Sequence, residues 1–126
     1  GVELAGALSE ISRTVLIADF RRIDSRKTRI VLIEAGPRIL SSFDQKLSER
    51  AERDLKSLGV EVVTNVRVTD LDPTGVQTTA GRIASKTVIW GAGVQPSQLG
   101  KKIGVEIDKS GRVVVEPDLS LKNYPE

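Results

Sequence analysis

Arg29-Ile30-Val31-Leu32-Ile33-Glu34-Ala35-Gly36-Pro37-Arg38 is an apolar run of strand length that stops at an acid and a turn. The unbroken apolar segment Ile30 to Ile33, rich in β-branched residues, suits a strand buried on both faces of a parallel sheet. Glu34 then stands at the carboxyl edge. In an open α/β sheet ligands bind just outside that edge, and an acid ending the second strand of a dinucleotide fold is placed to accept hydrogen bonds from a ribose 2′-hydroxyl. Taken alone, such an acid is more often a solvated edge residue or a helix cap, so the flanking chain has to decide.

Upstream, Leu4, Leu8, Ile11 and Val15 lay one apolar stripe along a helix running to about Phe20. Ala5, Gly6 and Ala7 would let its first turns lie close against a strand or a ligand, whereas Gly6 in an exposed helix would cost about 1 kcal/mol relative to Ala. Arg21 to Thr28 is polar, with a turn at Asp24-Ser25. Downstream, Asp44 can cap a helix whose stripe is Leu47, Ala51, Leu55 and Leu58, and Gly59 ends it. Val60, Val62 and Val63 read as the next strand. The order helix, strand, helix, strand is that of a βαβ winding with its first strand absent.

The pattern then changes. Val66 to Leu71 alternates with period two, Asp72-Pro73-Thr74-Gly75 is a turn, and two further short segments, Gly75 to Thr79 and Arg82 to Ala84, complete an antiparallel meander. Thr87-Val88-Ile89-Trp90 resumes buried-strand composition and runs into Gly91-Ala92-Gly93, where backbone without side chains could approach a ligand at the edge that carries Glu34. Pro96 to Lys102 is a helical turn, Asp108-Lys109-Ser110-Gly111 a hairpin turn, and Val113-Val114-Val115 a final strand.

Composition limits the chemistry. The chain has 126 residues, 39% hydrophobic and 29% charged, which is enough for one domain with one core. A formal charge of +2 gives no strong case for nucleic acid or anionic lipid. Arg21, Arg22, Arg26, Lys27 and Arg29 form a basic cluster interrupted by Asp19 and Asp24, read here as a solvated helix end and loop. The absence of cysteine and histidine excludes disulfides, thiol redox chemistry, Cys/His metal sites and every triad that needs an imidazole. No apolar run approaches the roughly 18 residues of a membrane span.

Gly1-Val2-Glu3-Leu4-Ala5-Gly6, the Val-Leu-Ile-Glu strand, Leu58-Gly59-Val60-Glu61-Val62, Val88-Ile89-Trp90-Gly91-Ala92-Gly93-Val94 and Gly111-Arg112-Val113-Val114-Val115 together resemble the NADH-binding domain of the pyridine nucleotide-disulfide oxidoreductase superfamily, most closely that of type II NADH dehydrogenase. The resemblance spans nearly the whole chain in the family's order. It implies an α/β, Rossmann-like NAD(P)-binding domain with an antiparallel meander, truncated at its first strand, over residues 1–126. It further implies that the parent passes hydride from NADH to FAD and electrons on to a quinone, as a cytoplasmic protein peripheral on the cytoplasmic face of the membrane. The FAD fingerprint has no counterpart here, so the chain alone is expected to be inactive, with no catalytic residue or metal ligand of its own.

By that resemblance Gly1 matches the last glycine of the GxGxxG fingerprint and Glu3 the glutamate near the nicotinamide. Glu34 matches the acid on the adenosine ribose, and Val66 sits where the family lines the adenine pocket. Gly91, Ala92 and Gly93 match the glycine loop beside the nicotinamide half. An acid at Glu34 favours NADH over NADPH, with Arg38 the residue nearest in sequence that could favour the opposite. Three alternatives remain: another FAD-dependent NAD(P)H reductase of NADH oxidase or ferredoxin reductase type, a non-catalytic nucleotide-binding module, and a winged interaction domain sharing only the βα pattern. The order 3-2-1-4 of such sheets would separate the Arg29 to Glu34 and Thr87 to Trp90 strands by about two strand spacings. The gap is expected to be closed either by a segment from a second copy, which would make a swapped dimer, or by a residual peptide of the parent.

Overall fold

The computed structural model describes residues 1–91 and 93–122 and divides into two compact units, Gly1–Gly91 and Ala92–Glu126. The first unit is mixed α/β. It opens with a helix made of α1 (Val2–Glu10), a π-helical turn (Ile11–Val15) and α2 (Leu16–Asp19). A short 3-10 turn (Ser25–Lys27) leads to β1 (Ile30–Ile33), then α3 (Gln45–Ser57) and β2 (Val60–Val63). The β1 and β2 strands pair in parallel, Ile30 opposite Val60 through Ile33 opposite Val63. A meander of β3 (Val68–Asp72), β4 (Gly75–Thr78) and β5 (Gly81–Ala84) forms a separate antiparallel sheet, with a bulge between Val68 and Asp70.

Local sequence accounts for most of these boundaries. The Asp44 carboxylate accepts the Lys46 N–H at 2.9 Å and caps α3. Gly59, at φ +83°, closes that helix in the left-handed conformation and donates its N–H to the Lys56 carbonyl at 2.9 Å. The core lies between α1, α3 and the parallel pair: Ala5, Ile39, Leu55 and Val60 are buried, with Val2, Ile30, Leu32, Ala51 and Val62 packed against them.

The first helix turns a different face inward from the one its apolar spacing predicts. Leu4, Leu8, Ile11 and Val15 are all exposed, Val15 by 54%, while Ala5, Ser9 and Ser12 are buried. Small side chains let this helix approach β1, β2 and α3 closely, and the serines that come inside find partners. Ser12 Oγ donates to the Ser9 carbonyl at 2.9 Å, and Ser9 Oγ donates to the Leu58 carbonyl at the end of α3. Arg13 joins them, donating from Nε to Leu58 O at 3.0 Å and from Nη2 to Gly59 O at 3.2 Å. In α3 the expected stripe is kept in part, with Leu55 buried and Ala51 packed against the core, whereas Leu47 and Leu58 are exposed and Ser48 is buried. Ser48 Oγ donates to the carbonyl of Ile39, which plugs the core from the loop before α3.

The Thr87 to Trp90 segment, expected as a buried strand, is not one. It has no ladder partner among the described residues, and Val88, Ile89 and Trp90 are exposed. A parallel strand needs a neighbour to take its backbone groups. β1, whose only sheet partner among the described residues is β2, does not pair with this segment directly. In the second unit, α4 (Leu99–Lys102) falls within the expected helical turn. The expected Val113 to Val115 strand is reduced to a single bridge, Ile107 opposite Val113, beside the Asp108 to Gly111 turn.

Two glycines separate packing from backbone need. A Cβ at Gly6 would meet Leu55 Cδ2 and Leu58 Cδ1 at 3.7 Å, ordinary contact, whereas one at Gly59 would come within 2.4 Å of Arg13 Nη2 at a positive φ. Gly6→Ala is therefore expected to stabilise the chain by about 0.5–1 kcal/mol. Gly59→Ala is expected to cost about 1–2 kcal/mol from the left-handed backbone alone. Urea midpoints of the two variants check the opposite signs.

The meander carries a pH signature. The Asp72 carboxyl is pulled down to about 2, first by the Thr74 hydroxyl, then by the Thr74 N–H and the Arg82 guanidinium. Arg82 Nη2 reaches both carboxylate oxygens at 2.8 Å. Folded Asp72 binds protons more weakly than unfolded Asp72, so its contribution is present at neutral pH and declines as pH falls from the ordinary carboxylate range toward about 2. Carbon-detected NMR should place its titration near 2, and Arg82→Gln should move it upward.

Candidate functional site

The parallel ladder does not stop at the ends of its strands. The Glu34 N–H donates to Val63 O at 2.9 Å, the Val66 N–H donates to Glu34 O at 3.2 Å, and the Asn65 N–H donates to Gly36 O at 2.8 Å. These bonds bind the segments leaving β1 and β2 to each other at the carboxyl edge. They bring together two residues singled out in the sequence, Glu34 and Val66. Asn65 takes a positive φ of 57° to make the turn, and Val66 is buried beside it.

The Glu34 side chain is half-buried and turns back on its own chain. Its Oε1 accepts the Gly36 N–H at 2.7 Å, while no hydrogen bond from the described residues reaches Oε2. A Cβ at Gly36 would sit 3.2 Å from Oε1, so the carboxylate lies in a notch that glycine leaves open. Sequence reading took Gly36-Pro37 as a turn and missed this role. The available signal was the Glu-x-Gly spacing, which lets a side-chain oxygen reach the N–H two residues on.

Arg38 is committed elsewhere. Its Nη1 donates to Phe43 O at 2.8 Å and, more weakly, to Leu40 O at 3.4 Å, while Nη2 donates to Ser41 O at 2.7 Å. The guanidinium thus ties together the loop that carries Ile39 into the core. It is not spare charge beside Glu34.

Gly1 and Gly91 form a second grouping. A Cβ on Gly91 would lie 3.4 Å from Gly1 N and 3.6 Å from Gly1 Cα, and a Cβ on Gly1 would lie 3.6 Å from Leu32 Cδ1. Two glycine backbones therefore meet against β1, two residues upstream of Glu34, where side chains would block close approach of a ligand. Gly1 precedes α1 and its carbonyl accepts the Ala5 N–H at 2.9 Å. Glu3 is exposed in the first turn, the helix end that favours an acid. Gly93, in the second unit, has a positive φ of 77° that favours glycine, and Ala92 lies outside the described residues.

The arrangement offers two adjoining glycine backbones and a carboxylate held through Oε1, whose Oε2 receives no hydrogen bond from the described residues. That set can hold a polar ligand carrying a diol; with no imidazole or thiol in the chain, it supplies no usual general base.

Comparison with known proteins identifies the family of the chain. The sequence profile described as pyridine nucleotide-disulphide oxidoreductase matches residues 1–125. The chain is 42% identical over 134 aligned positions to the type II NADH:quinone oxidoreductase Ndh of Mycobacterium tuberculosis and 40% identical over 135 to NdhA of the same organism. Both alignments take in 99% of this chain and 29% of the relative, so the chain spans under a third of either length. In structure it is similar to NDH2 of Plasmodium falciparum in complex with NADH, with a TM-score of 0.67 at 22% identity, over 80% of this chain and 22% of that one. At that identity the likeness concerns the fold.

Proposed function

The chain belongs to the pyridine nucleotide-disulphide oxidoreductase family, and from that premise we propose that it is the NADH-binding part of a longer FAD-dependent NADH dehydrogenase of type II. The observation that carries this reading is the Glu34 notch: one carboxylate oxygen is fixed by the Gly36 N–H and the other is left to accept from the adenosine ribose hydroxyls. Gly1 and Gly91, whose backbones meet against β1, are proposed to lie along the dinucleotide, with Val66 at the adenine side. Glu3, Ala92 and Gly93 are assigned to the nicotinamide half on their sequence. A 2′-phosphate would meet the charge of Glu34, and Arg38, held by three loop carbonyls, is not placed to neutralise it. This supports NADH over NADPH.

In the longer protein, FAD supplies the hydride-accepting chemistry. This chain's share is to bind and orient NADH, and the names of the Mycobacterium relatives support a quinone as final acceptor. Among the described residues no helix is long and apolar enough to cross a membrane. We place the whole protein as peripheral on the cytoplasmic face of the membrane; contact with the membrane follows from the need to meet a lipid-soluble quinone.

In the full-length protein, Glu34→Gln is expected to raise the KM for NADH about ten- to a hundredfold, the equivalent of one lost charge-assisted hydrogen bond. The KM for NADPH should fall, because the charge that its 2′-phosphate would meet is removed. Steady-state kinetics with both cofactors decide this, and an unchanged ratio would remove Glu34 from the ribose. β1 pairs on one edge only among the described residues, which supports the strand-swapped dimer for the 126-residue chain. Light scattering should return twice the chain mass, and a monomer mass would show that the edge is tolerated unpaired.

A further inference from the structure

A glycine in a turn is needed either because the backbone is left-handed there or because a side chain would collide with something. Gly36, in the loop that leaves β1, takes no positive φ, unlike Gly59, and Pro37 after it biases it further toward extended backbone. Conformation therefore does not demand glycine at this position. The nearest atoms that a Cβ would meet are Glu34 Oε1 at 3.2 Å and, at the ordinary contact distance of 3.9 Å, Glu34 Cδ and the Arg38 carbonyl. We infer that Gly36 is a positioning residue for the dinucleotide: its missing side chain and its N–H together set the direction in which the Glu34 carboxylate faces the adenosine ribose. This inference rests on the ribose reading of Glu34 proposed above.

The donor is not free to follow the carboxylate if the carboxylate moves. The Gly36 carbonyl accepts the Asn65 N–H at 2.8 Å, while the Glu34 N–H and carbonyl are bonded to Val63 O at 2.9 Å and to the Val66 N–H at 3.2 Å. Both ends of Glu34-Ala35-Gly36 are thus pinned to the chain that leaves β2. Within that frame the Gly36 N–H, at 2.7 Å, is the contact that fixes Oε1. A methyl group at position 36 would press on that oxygen at a distance tighter than side chains ordinarily accept, and the end of the glutamate, which has no sheet bond, is the part that gives. The carboxylate would turn and lengthen its bond to the N–H.

Recognition of a ribose is sensitive to such a turn. Its hydroxyls have to meet the carboxylate at hydrogen-bond distance and angle, and the interaction weakens steeply away from that geometry. Gly36→Ala leaves the charge of Glu34 in place and alters its direction, so it separates where the carboxylate points from whether it is present. The ribose in question lies at the end of the dinucleotide remote from the reacting nicotinamide, so the loss falls on binding rather than on hydride transfer.

Steady-state kinetics of Gly36→Ala, Glu34→Ala and the pair, in the full-length protein carrying FAD, test this. Gly36→Ala should raise the KM for NADH about three- to tenfold, with the change carried by KM rather than by kcat. In the Glu34→Ala background, where the methyl group meets no carboxylate, Gly36→Ala should add nothing further. KM does not depend on how much of a preparation is folded, so a variant obtained in low yield still returns the answer. A KM unchanged by Gly36→Ala, beside a raised one in Glu34→Ala, would overturn the positioning role and keep the ribose contact. An equal rise in both backgrounds would overturn it as well, because the methyl group would then act through the loop and not through the carboxylate. No rise in Glu34→Ala alone would remove the ribose reading itself, and the role of Gly36 with it.

Discussion

The parallel pairing of β1 with β2 is the constraint on which the rest depends. Four paired positions would be a modest ladder by themselves, but the bonds from Glu34 to Val63 and from Val66 to Glu34 carry it beyond both strands. Those extra bonds set the backbone of Glu34 at both its N–H and its carbonyl. The carboxylate is consequently positioned by sheet hydrogen bonds, and its rotamer by the Gly36 N–H. In the proposed reading, the cofactor meets a carboxylate already held in place, so little ordering entropy is lost on binding.

The pair of strands is held from one side by α1 and α3, and the way those helices join is polar as well as apolar. Ser9 and Arg13 satisfy the Leu58 and Gly59 carbonyls that the end of α3 leaves without helical partners. A larger apolar residue at position 9 would remove one of the two donors to the Leu58 carbonyl and push the helices apart. This polar clasp explains why Ser9, fully buried, stands where an amphipathic helix would carry leucine. By contrast, surface ion pairs such as Arg50 with Asp54 and Lys56 with Glu52 contribute little and mainly keep α3 soluble.

The loop between β1 and α3 does two tasks with adjacent residues. Ile39 fills the core, at 1% exposure, while Arg38 gathers the carbonyls of Leu40, Ser41 and Phe43. Leu40 takes a positive φ of 50° within that gathered loop. Because the guanidinium is spent on the loop, the local charge beside the edge is set by Glu34. Cofactor preference in the proposed reading therefore follows from where an arginine is used, which its presence in the sequence does not reveal.

What the sequence determined by itself is what short-range chemistry dictates. The Ile30 to Ile33 strand, the Asp44 cap, the Gly59 terminus, the β2 strand and the meander are each written in residues within a few positions of one another. The tertiary structure decided the rest. Leu4, Leu8, Ile11 and Val15 have helical spacing, yet the buried face is Ala5, Ser9 and Ser12, because the approach of α3 and its uncapped carbonyls selects small and hydroxylated residues. Thr87 to Trp90 has strand composition, yet among the described residues no neighbouring strand pairs with it. A period shows that a segment can form an element, whereas the face it buries and the edge it pairs depend on groups distant in sequence, whose hydrogen bonds and volumes only the folded chain brings into contact.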